Sequence, residues 1–126
     1  MVEKPYAGGE WSKARMMQFI RSNLRRASIK WPPIRQCLEG ARRPSQSDNK
    51  RLKWEFQCAS CSGWYPRSDV QVDHLVECGS LKDWDDLERF CRTLFCEESN
   101  LFVLCSHCHT NKEEILASRG VSGLEL

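Results

Sequence analysis

Two Cys-x-x-Cys pairs, Cys58/Cys61 and Cys105/Cys108, stand 44 residues apart in a chain of 126 residues. Each pair alone is a weak signal. Together they offer four thiolates, enough to fill the shell of a tetrahedral zinc. Such a site is closed, with no position left for water or substrate, so its work is structural: it would hold a sheet against the final helix of a small core. Buried free thiols or a redox pair are the rival reading, and His107, between the last two cysteines, is a further candidate ligand. Cys37, Cys78, Cys91 and Cys96 show no metal spacing and read as small packed hydrophobes.

The stretch "VQVDHLVEC", residues Val70 to Cys78, alternates like a half-buried strand and then sets Asp73 beside His74. Neighbouring strand side chains point to opposite faces, so the two cannot both ligate one ion without distortion, yet they can stand on opposite sides of a substrate phosphate. His109 follows the second cysteine pair at once. A zinc joining the two pairs therefore draws His109 towards the strand that carries Asp73 and His74. The arrangement suits phosphodiester hydrolysis: Asp73 and His109 hold one divalent ion of the Mg²⁺ or Mn²⁺ type, and His74 takes the proton of an attacking water. Lys112, three residues after His109, shares its helical face. It reads as a phosphate contact or as a solvated lysine.

Other segments must position these groups. Apolar residues recur near helical spacing from Trp11 to Ile29, interleaved with Arg15, Arg21, Arg25 and Arg26, which predicts a basic amphipathic helix. "KWPPI" must interrupt it, since proline removes backbone donors and restricts the residue before it. A short helix over Pro33 to Leu38 follows, and "ARRPSQSDNKR" has the composition of a linker. "KWEFQC" and "GWYP" read as short strands around the first cysteine pair. Residues 81–96 place Leu81, Trp84, Leu87, Cys91, Leu94 and Phe95 at helical spacing, "NLFVLC" reads as a short apolar element, and "SHCHTNKEEILASRG" as a helix ending near Gly120. Trp31, Trp54, Trp64 and Trp84 read as core or interface residues.

In these motifs the chain resembles the HNH endonucleases of ββα-metal fold, in particular the small zinc-bearing members encoded by bacteriophages. The likeness rests on "VDHLV", on the asparagine of "NLFVLC" and on "LCSHCHTNK", and it runs from Cys58 to Lys112. It implies that His74 is the general base, that Asp73 and His109 are the metal ligands, and that Asn100 fixes the loop between the strands by side-chain to backbone bonds, holding His74 in orientation. Glu77 departs from the pattern, where relatives often carry a proline. The implied fold class is α+β: a small ββα-metal core with a four-cysteine zinc site, over residues 54–126, preceded by a basic helical arm and linker over residues 1–53. The large terminase subunit of phages is an implied partner, and the cytoplasm of the infected bacterial host the implied location.

Charge is divided along the chain. Residues 1–53 hold 13 Lys and Arg against 4 Asp and Glu, whereas residues 54–126 hold 6 against 13. The first part thus carries the footprint of a polyanion partner, with Arg15, Arg21, Arg25, Arg26 and Lys112 as candidate contacts to double-stranded DNA. "MVEKPYAGGEW" lacks the apolar core of a signal peptide and no segment has the length of a membrane span, so an intracellular, membrane-free protein is expected, as monomer or homodimer. Two other functions compete with the nuclease. A non-catalytic zinc module that binds nucleic acid would keep the cysteines and the arm but has no need of an Asp-His pair meeting His109. A thiol redox protein would need exposed, reactive thiolates.

Overall fold

The computed structural model describes residues 2–114 and has mixed α+β architecture. The chain divides into two compact units: one gathers Met1–Trp31 and Cys78–Phe95, the other Pro32–Glu77 and the chain from Cys96 onward.

In the first unit, α1 (Lys13–Ser28) begins where the Ser12 hydroxyl accepts the Arg15 backbone N–H at 3.2 Å, satisfying one of the donors a helix start leaves open. It ends before the two prolines that follow Trp31. Its apolar face buries Met17, only 1% exposed, among Cys78, Leu81, Phe90 and Leu94. The partner helix, α3 (Leu87–Leu94), is shorter than the periodicity over 81–96 suggests. Asp86 explains this. Its carboxylate accepts the backbone N–H groups of Lys82 and Asp83, both at 3.1 Å, and so fixes a tight turn over Trp84–Asp86 before the α-helix starts. Leu81 is buried nonetheless, from outside the helix. Trp84 is 42% exposed and donates its indole N–H to the Tyr6 hydroxyl.

The second unit contains α2 (Pro32–Gly40), β1 (Arg42–Pro44), β2 (Trp54–Gln57), β3 (Trp64–Tyr65), β4 (Val70–His74), β5 (Leu101–Cys105) and α4 (Ser106–Thr110). Its strands form two small antiparallel sheets, β1-β2-β3 and β4-β5. Strand β1 lies within the stretch whose composition reads as linker. It forms because Arg42, Arg43 and Pro44 pair with Phe56, Glu55 and Trp54, and the proline is tolerated because β1 is an edge strand. Residues 32–53 therefore pack with the second unit rather than continuing a separate arm. Apolar positions of α2, β2, β4 and β5 meet in one core of Cys37, Phe56, Val70, Leu101 and Val103, and Cys58, Leu104, Cys105 and Cys108 form another. The expected end of the last helix near Gly120 lies outside the described residues. No helix among those described is long and apolar enough to cross a membrane.

Candidate functional site

The four cysteines converge. Cys58 follows β2, and the chain then reverses: Ser62 N–H donates to the Cys58 carbonyl at 3.0 Å, Cys58 N–H to the Gly63 carbonyl at 2.9 Å, and Ser62 takes a left-handed φ of 63°. A Cβ at Gly63 would sit 2.7 Å from the Tyr65 hydroxyl, so any larger residue there would have to displace the Tyr65 ring. Cys105 ends β5 and Cys108 lies in the single turn of α4, so the second pair spans a strand-to-helix junction. The ligand atoms of Cys58, Cys61, Cys105 and Cys108 all lie within 4.8 Å of one another, and Cys61 Sγ is 4.0 Å from Cys105 Sγ.

That spacing fits a metal better than disulfides. All eight cysteines are free. Four sulfurs around one zinc at about 2.3 Å sit ~3.8 Å apart along the tetrahedron's edges, whereas a disulfide needs about 2 Å. The electrostatics agree. Burial presses the Cys58 thiol upward, but the backbone N–H groups of Cys61, Cys105 and Ser60 outweigh it and bring the thiol down to about 6. Cys108 is pushed up to about 12 by burial and by its bonds to Cys105 and Cys58. Four thiols held this close resist ionising together, and a divalent cation among them would relieve that repulsion. Tyr65, which sequence reasoning left as an ordinary strand residue, places its hydroxyl 3.2 Å from Cys61 Sγ. Bonds to the thiols of Cys61 and Cys105 raise its own pKa. Nothing in its spacing announces this, because the contact depends on the pairing of β2 with β3.

Beside this cluster stands a group of charged residues. Strands β4 and β5 pair in register from Val70↔Cys105 to His74↔Leu101, which sets Asp73 opposite Phe102. Helix α4 leaves the end of β5 and carries His109 back to β4, where its Nδ1 lies 2.5 Å from Asp73 Oδ2. Lys112 is only 8% exposed. Its amine donates to Glu77 Oε1 at 2.7 Å and lies 4.0 Å from Asp73 Oδ1, above the Phe102 ring. An open hollow of about 470 Å³ is lined by Glu77, His109, Lys112 and the residues around them.

His74 follows Asp73 at the end of β4 and is half-buried. The segment after it is clamped by Asn100, whose backbone carbonyl accepts the Leu75 N–H at 2.8 Å. The Asn100 side chain accepts the Val76 N–H at 2.9 Å and donates to the Val76 carbonyl at 3.3 Å. Three bonds from one residue thus hold the exit of the strand that bears His74.

The chain matches no known family model, no curated protein and no solved structure.

The arginines of α1 belong to the first unit. Arg15 and Arg26 line a shallow hollow of about 380 Å³ together with Gln18, Phe19, Ser22 and Asn23. Arg15 also lies over the Trp11 ring, and Arg25 over Phe90. Arg21 is half-buried, while Arg15, Arg25 and Arg26 are exposed.

Proposed function

We propose that this chain is a metal-dependent DNA endonuclease of HNH type. The single observation that carries the reading is the meeting of His109 with Asp73 at 2.5 Å, where two antiparallel strands and the helix after them join beside a four-cysteine cluster. A lone Asp-His contact is common. One placed at a ββα junction, adjacent to a strand histidine, favours a phosphodiesterase site.

In this reading Cys58, Cys61, Cys105 and Cys108 would hold a structural zinc, and Asp73 and His109 would hold a Mg²⁺ or Mn²⁺. A divalent ion bound there supplies positive charge to the phosphate and to the leaving oxygen. The chain's own residues do the rest. His74 receives the proton of the attacking water, from the side of the phosphate opposite Asp73. Asn100 keeps the end of β4 in place, so the imidazole does not have to be ordered anew at each turnover. The α1 arginines Arg15, Arg21, Arg25 and Arg26 would meet phosphates, supplying affinity with little sequence information, whereas Lys112 is buried and engaged with Glu77 rather than open to a phosphate. By the same resemblance the enzyme would act in the cytoplasm of an infected bacterial host beside the large terminase subunit.

The Lys112 contact favours a second reading. With its ammonium beside Asp73 and Glu77, the acidic cluster already has a counter-charge, as a non-catalytic zinc module that binds nucleic acid would require. Incubating supercoiled plasmid with the protein, with and without Mg²⁺ or Mn²⁺ and alongside His74→Ala, separates the two. The nuclease converts plasmid to open-circle or linear DNA only with metal and only with His74. Binding without cleavage, by a folded and zinc-loaded protein, would leave the module.

A further inference from the structure

The β1–β2 hairpin, with the turn between its strands, is a cationic ribbon in the unit that carries Asp73 and His109. Between Arg42 and Gln57 it holds Arg42, Arg43, Lys50, Arg51 and Lys53 against Asp48 and Glu55. Four of these cations, Arg42, Lys50, Arg51 and Lys53, are exposed, and among the described residues none of the four forms an ion pair. Arg43 is different in kind: its guanidinium lies 3.9 Å from the Trp64 ring centroid and its Nε bonds Glu55 at 3.4 Å, so it is engaged within the sheet.

The turn is pinned. Ser47 N–H donates to Ser45 Oγ, Asn49 N–H to Ser47 Oγ and Arg51 N–H to Asn49 Oδ1, at 3.1, 3.1 and 3.0 Å. Ser45 N–H closes the ring on the Lys53 carbonyl at 2.9 Å. The cations thus project from an ordered backbone, which lowers the entropy lost when they meet a ligand. Arg42 is ordered too, its guanidinium 4.1 Å from the centroid of Trp54, a tryptophan left 40% exposed. A guanidinium lying on an indole keeps its edge free to donate, and an edge-on planar fork matches phosphate oxygens.

We propose that this ribbon is a duplex-DNA contact, in which Arg42, Lys50, Arg51 and Lys53 meet backbone phosphates. The excess of cations suits a polyphosphate better than an isolated anion. The inference deepens the nuclease reading by naming where this unit meets its substrate. It takes its observations from a different part of the fold.

The test is anisotropy of a labelled DNA duplex titrated with the full-length protein without added Mg²⁺ or Mn²⁺, over a range of salt concentrations. Wild type is compared with the combined Arg42→Gln, Lys50→Gln, Arg51→Gln variant and with Arg42→Lys. Losing three phosphate contacts should flatten the slope of log affinity against log salt by about 2 to 3, near 0.9 per contact. Arg42→Lys should keep the wild-type slope and bind more weakly, having lost the stacked fork. An unchanged slope in a triple variant that melts like wild type would overturn the proposal, as would tighter binding to an RNA duplex of the same sequence. If the ribbon carries DNA binding but plasmid stays intact with Mg²⁺, this assignment stands and the nuclease reading falls. Cleavage with an unaltered slope gives the reverse.

Discussion

Asn100 and Lys112 show how single side chains organise the site, in different ways. Asn100 satisfies both polar groups of Val76 and, through its carbonyl, the N–H of Leu75. Asn100→Ala removes the two side-chain bonds and leaves part-buried backbone groups to find water, at a cost of about 1–3 kcal/mol. Thermal denaturation should register that loss, and cleavage should fall further than stability alone accounts for, because the exit of His74's strand is released. Wild-type activity in a folded variant would show that His74 does not depend on this clamp. For Lys112 the burial is one-sided: its side chain is 10% exposed while that of Glu77 is 51% exposed. Glu77→Ala strands an ammonium with Asp73 as its nearest acid, whereas Lys112→Met keeps the packing on Phe102 and leaves a carboxylate that water can reach. Glu77→Ala should therefore be the more destabilising, by about 1–2 kcal/mol. The opposite order in a chemical denaturation series would refute this ranking.

At the level of elements, the cysteine cluster sets the β2–β3 turn against the β5–α4 junction, and His109 ties α4 to β4 as well. A helix of five residues is too short to persist without tertiary support. Cys58→Ser should lose zinc and, with it, the fold of this unit, read as loss of tyrosine and tryptophan near-ultraviolet circular dichroism. A zinc-loaded, folded variant would point to a different ligand set. Helix α2 is held by Cys37, whose thiol is pushed up to about 11 by burial first and then by Glu98 and Cys96. An unfolded chain ionises its thiols near ~8.5. The stabilisation from keeping Cys37 neutral is therefore complete below that value and is lost as pH rises towards 11. Wild type should lose stability against Cys37→Ala across that window, in thermal melts at stepped pH. A constant difference between the two proteins would contradict the sign.

For the whole molecule, the proposed DNA contact rests on charge, and the units limit how it can be probed. Deleting residues 1–50 would remove α2 and β1 from the core that contains Cys37 and Phe56, so a loss of binding would report unfolding. Substitution is the cleaner test. Arg15→Gln with Arg26→Gln changes two exposed side chains on one face of α1 and should reduce the salt slope of DNA binding by about 2. An unchanged slope in a variant with wild-type helicity would restrict DNA contact to the other unit.

Much of this molecule is legible along the chain, because local spacing carries it. The two Cys-x-x-Cys pairs, the alternation of "VQVDH", the amphipathic period of α1 and the breaking power of Pro32 and Pro33 all follow from backbone geometry within a few residues. The tertiary structure decided what distant pairing alone can decide. Arg42–Pro44 became a strand because a partner strand lay beside it, and Asp86 delayed α3 by capturing neighbouring N–H groups. Tyr65 reached the thiols only through the pairing of β2 with β3. The contact of His109 with Asp73, 36 residues away, and of Lys112 with Glu77, 35 residues away, depends on the antiparallel register of β4 and β5 and on where α4 begins. A sequence names the groups able to interact, but bringing groups so far apart to within a hydrogen bond takes a loop closed by contacts elsewhere, and those contacts are a property of the fold.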